Sequence, residues 1–91
     1  MAISHGMDVV RVRGLAKRLD NEAGEVEKVV NAVDKIITEM REAWVGPDAT
    51  AFEGWWREQH RPALQKLKGH LSGLAQSARN NASAQEEVSR G

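Results

Sequence analysis

The stretch Ala43-Trp44-Val45-Gly46-Pro47-Asp48, almost at the midpoint of the 91 residues, decides the fold. Glycine reaches the left-handed conformation that ends a helix at little steric cost, so Gly46 is expected to close a first helix. Pro47 has no amide hydrogen and a fixed φ; it cannot continue that helix but suits the opening turn of a second. Asp48 sets a carboxylate where the second helix has unpaired amides and the positive end of its dipole. Trp44 stands just before the stop, where its ring can cover the tip of a hairpin. By itself, the stretch reads as an ordinary helix-loop-helix turn with a structural tryptophan.

Upstream, from about 8 to 43, apolar residues fall into three columns spaced by seven. One is Val12, Leu19, Val26, Val33 and Met40. A second is Ala16, Ala23, Val30, Ile37 and Trp44. The third is Leu15, Val29, Ile36 and Ala43, interrupted by Glu22. Offsets of three or four residues merge the columns into one broad stripe on a helix, whereas a strand would alternate with period two. Arg11, Arg18, Glu25, Lys28, Asn31, Asp34, Lys35 and Glu39 are expected on the opposite, solvated face.

Downstream, a second helix is expected over about 47–80, with Ala49, Phe52, Trp56, His60, Ala63/Leu64, Leu67, Leu71, Leu74 and Ala78 facing inward. Pro62 deprives the Glu58 carbonyl of its helical partner, which predicts a bend, not a stop, because the periodicity resumes on the same face. Met1 to Gly6 reads as frayed. Residues 81–91 are small and polar apart from Val88, so a mobile tail is expected there.

Two helices of roughly 35 residues, each about 50 Å long, must pack antiparallel when joined by so short a turn. A lone hairpin cannot bury a stripe three columns wide, because each helix has only one neighbour. The expected architecture is all-α: an antiparallel two-helix hairpin in a single domain, assembling as a dimer into a four-helix bundle. Its hairpin or dimer core is expected to hold Leu19, Val26, Val33, Ile37, Met40, Phe52, Trp56, Leu64, Leu67, Leu71 and Leu74.

Composition narrows the function. Lys plus Arg equals Asp plus Glu at 13 each, which argues against a nucleic-acid binder, since phosphate contacts need a basic surplus. Cysteine is absent, so disulfides and thiolate metal sites are excluded. No run approaches the ~18 apolar residues that cross a bilayer, so no stable membrane insertion is expected. Met1 to Val10 lacks a basic start followed by an apolar block, so no cleavable signal peptide is expected.

Catalysis is not expected either. His5, His60 and His70 form no compact ligand set, and His60 reads as a packed or rim residue. Ser72 has no base implied beside it, and the glycines form no phosphate-cradling loop. Neither a cofactor nor a metal is implied. Arg11, Arg13, Lys17 and Arg18 are flanked by Asp8, Asp20 and Glu22, a solvated face rather than a phosphate site. Trp55 points about 100° away from Trp56. It is either an anchor for a partner or buried against a second hairpin.

Trp44-Val45-Gly46 between two long helices, in a cysteine-free chain of this length, resembles the WXG family of small type VII (ESX) secretion substrates, the ESAT-like proteins. Ala49, Phe52 and Trp56 follow at the family's spacing, and with the motif at a hairpin tip flanked by helical periodicity the resemblance covers nearly the whole chain. It implies a non-enzymatic hairpin that pairs with another hairpin, as a homodimer or heterodimer. It further implies export without a cleaved signal, from the cytoplasm to the outside, by the system's membrane ATPase.

The family's export signal joins the Trp-x-Gly turn of one chain, here Trp44 and Gly46, to a Tyr-x-x-x-Asp/Glu tail, usually on the other. This chain has no tyrosine: Asn81 stands at the Tyr place and Gln85 at the acid place. The expectation is the tyrosine-less half of a heterodimer; the alternative is a cytosolic dimeric adaptor that is not exported.

Overall fold

The structure, a computed structural model, describes residues 6–90; the expected fraying of Met1 to His5 lies outside them. Helix α1 spans Val9–Ala43. Helix α2, Pro47–Trp55, passes through a wide π turn, Trp56–His60, into helix α3, Arg61–Arg90. The two arms form an antiparallel hairpin measuring 66 × 18 × 16 Å.

Local chemistry explains the ends. The Asp8 side chain caps α1 by accepting from the Arg11 amide at 3.1 Å. At the tip, the path differs in detail from the expected one. Trp44, with extended backbone, is the residue that ends α1, and Gly46 caps the second arm instead. Gly46 sits at φ 131°, ψ 179°, a region only glycine occupies without strain. Its carbonyl accepts the Thr50 amide and hydroxyl, and Pro47 and Asp48 form the first turn.

Pro62 is absorbed upstream. The Arg61 amide donates to the Trp56 carbonyl, one residue farther back than in an α-helix. That widened turn makes room for the proline ring and keeps the arm continuous.

Among the described residues, the buried ones are Ala16, Ala23, Val30 and Ile37 of α1 facing Ala49, Trp56, Ala75 and Ala82. Five of these eight are alanine, so along most of the seam small side chains, not large ones, face each other.

Two expectations are corrected here. Residues 81–90 are helical, not a mobile tail, because Ala82 continues the buried seam and Arg13 grips Glu86 and Ser83. His60, expected inward, is exposed on the π turn against the Trp55 ring, with centroids 4.6 Å apart.

Gly46→Ala should lower unfolding free energy by about 1–3 kcal/mol through backbone strain alone, since a Cβ there meets no neighbour. Gly54→Ala, mid-helix and equally unobstructed, should instead stabilise by roughly 0.5–1 kcal/mol. Urea titrations followed by circular dichroism check both.

Candidate partner-binding face

The hairpin has two unlike flanks. Arg13, Asp20, Glu27, Asp34 and Arg41 recur at seven-residue spacing along one edge of the buried α1 column. Each reaches across to the other arm: Arg13–Glu86 at 3.2 Å, Asp20–Arg79 at 2.6 Å, Glu27–Lys68 at 3.2 Å, Asp34–Arg61 at 3.1 Å and Arg41–Glu53 at 3.5 Å. Exposed ion pairs of this kind each contribute about 0–1 kcal/mol. Their order matters more. Sliding one arm by a rung would set like charges together at two of the four remaining rungs, so the ladder penalises wrong registers.

Asp34 is the ladder's most elaborate rung. It accepts from Trp56 Nε1 at 2.8 Å and from Arg61 Nε at 3.1 Å. The Trp56 hydrogen bond and then the Arg61 guanidinium, outweighing partial burial, hold its carboxyl below the ordinary aspartate value. Sequence reasoning placed Asp34 on the solvated face. The structure places it between the arms, where it fixes the indole that plugs the core beside Val30 and Ile37.

The other flank is open and apolar. Leu15, Val29 and Ile36 lie two residues on from ladder positions, about 200° around α1. They are 41, 50 and 51 % exposed. Across the seam, Leu67 and Leu74 are 44 and 57 % exposed, six residues on from the ladder's Arg61 and Lys68. Between these rows and the seam lie half-buried Leu19, Val26, Val33, Met40, Leu64 and Leu71. Of the residues expected in the core, only Ile37 and Trp56 are buried within the hairpin, with Phe52, Val33 and Leu64 packed against them.

At the tip, the Trp44 and Phe52 rings lie 5.4 Å apart at 50°, and Val45 projects almost fully into solvent. Trp55 is exposed on the outside of the π turn. The motif residues Trp44 and Gly46 therefore sit together at one end, with the open apolar rows running away from them.

Sequence reasoning missed the ladder and the seam's Ala75 and Ala82. The signal for both was the seven-residue recurrence in each arm: 13, 20, 27, 34, 41 and 61, 68, 75, 82. Among the described residues, no group of three or more His, Asp or Glu side chains is disposed to hold a metal ion. No helix there is long and apolar enough to cross a membrane.

These features define a helical hairpin closed by charge on one side and apolar on the other. Residues 6–88 match the family model described as WXG100, proteins of 100 residues with WXG. The chain belongs to that family, whose members are small type VII secretion substrates rather than enzymes and typically pair with a second such hairpin. Its fold is similar to that of Geobacillus thermodenitrificans EsxA in crystal form I. The TM-score is 0.80 at 22% identity, covering 98% of this chain and 94% of that one. Comparison with curated proteins finds no match.

Asp34→Ala should cost roughly 1–3 kcal/mol by leaving the Trp56 N–H unpaired in a nearly buried position. Because the folded carboxyl titrates below its unfolded value of 3.8, its stabilisation is complete above that pH and lost as pH falls through the lower folded value. Asp34→Asn should thus be less stable than wild type at neutral pH, with the gap closing below pH 3.8. Urea midpoints read by tryptophan fluorescence across pH check this.

Proposed function

We propose that this chain is a secreted, non-enzymatic type VII substrate that works as the tyrosine-less half of a heterodimeric four-helix bundle. The observation that carries the reading is the open apolar flank, Leu15, Val29, Ile36, Leu67 and Leu74, on a hairpin whose other flank is already closed by ion pairs. A second hairpin laid on that flank buries the large side chains that the alanine seam leaves outside.

In this reading Trp44 and Gly46 form the chain's share of the export signal. The partner supplies the Tyr-x-x-x-Asp/Glu tail, and the paired chains present both halves to the secretion ATPase. Trp55, exposed beside the turn, is a contact for the partner or the secretion machinery.

The chain folds in the cytoplasm and leaves as part of the dimer. Trp44→Ala should leave pairing intact, because its ring lies at the tip, yet reduce export at least tenfold in quantitative blots of culture supernatant against cell lysate. Undiminished export would make the turn merely structural. A chain retained in the cell even with a tyrosine-tailed partner would favour the cytosolic adaptor.

A further inference from the structure

We infer that the partner carries a lysine or arginine positioned to reach Glu22, so that this carboxylate selects a non-identical hairpin over a second copy of this chain. The inference rests on the pairing reading above and adds the chemistry that the partner must present.

Glu22 stands in the exposed column Leu15–Glu22–Val29–Ile36–Ala43, where every other member is apolar. The five ladder rungs satisfy their carboxylates across the seam, but Glu22 forms no ion pair or hydrogen bond among the described residues. Arg18, one turn away, forms none either.

An open groove of about 350 Å³ lies at this point, lined by Leu15, Arg18, Leu19 and Glu22. Its leucines, with Arg18 one turn from Glu22, suit a side chain whose apolar stem lies on the leucines and whose cationic tip reaches the carboxylate on the side away from Arg18. Lysine and arginine have that form. A purely apolar occupant would cover the leucines but strip water from Glu22 and Arg18, neither of which is ion-paired.

With α1 laid on α1, a second copy meets the need poorly. Two-fold antiparallel pairing centred on the column sets Val29 against Val29 and Leu15 against Ala43. Glu22 then faces the second copy's Ile36, and this happens twice per dimer. The shifted register that brings Glu22 to the second copy's Arg18 sets Leu15 against Glu25 and Val29 against Arg11, and leaves Ile36 and Ala43 uncovered.

Sedimentation velocity on the full chain tests this, with circular dichroism confirming that each variant keeps its helix. Glu22→Leu should self-associate at least tenfold more tightly than wild type. Ile36→Lys, which puts a cation where the copy would meet Glu22, should also gain at least tenfold. That second gain should disappear in about 1 M salt and in the Glu22→Leu/Ile36→Lys double variant.

If Glu22→Leu changes nothing while Ile36→Lys abolishes association, the face is an interface that needs no cation; the inference falls and the pairing reading stands. If neither substitution alters association, the face is not the interface and both fall. Tight wild-type association lost in Arg18→Ala would put the cation on a second copy, overturning the selection of a non-identical partner.

Discussion

The line of closest approach between the two arms is filled largely with alanine, and the rest of the molecule depends on that. Small side chains let the helices come close but contribute little apolar area themselves. The leucines, valines and isoleucines are pushed to the edges of the seam. The Cα radius of gyration is 20.1 Å, against about 12 Å for a compact domain of this length. Its accessible surface, 6714 Å², exceeds the roughly 5300 Å² typical of a 10.1 kDa monomer. The excess, roughly 1400 Å², is of the order that a protein interface covers.

The two flanks divide the work. The charged ladder adds little stability per rung, yet its order of signs fixes how the arms slide past each other. The Asp34–Trp56–Arg61 node ties that register to the core at the π turn, the place where Pro62 would otherwise break the second arm. With register set from one side, the other side stays free to present continuous apolar rows, and the tip carries Trp44 and Gly46 at a fixed place relative to them.

Much of this was legible in the sequence, and the gaps have physical causes. Gly46 and Pro47 punctuate the chain strongly, and the apolar columns have unambiguous helical period, so the hairpin followed. Periodicity gives the direction in which a side chain points but not which neighbour covers it. Leu67 and Leu74 therefore read as core although they lie outside the hairpin's own seam. Asp34 read as solvated because one helix viewed alone does not reveal an arginine arriving from the other arm. The last turns read as a tail because alanine carries little apolar weight, yet Ala82 is buried in the seam. Glu22 was visible as an interruption, but the groove it lines with Leu15, Arg18 and Leu19 takes the folded surface to see.

The most direct measurement of the central claim, that the open flank must be covered, is the thermal unfolding midpoint of the isolated chain over a hundredfold range of concentration. If association supplies the missing burial, the transition is broad at the lowest concentration and its midpoint rises as concentration increases. A sharp transition at a midpoint independent of concentration, from a species sedimenting as a 10.1 kDa monomer, would contradict the account.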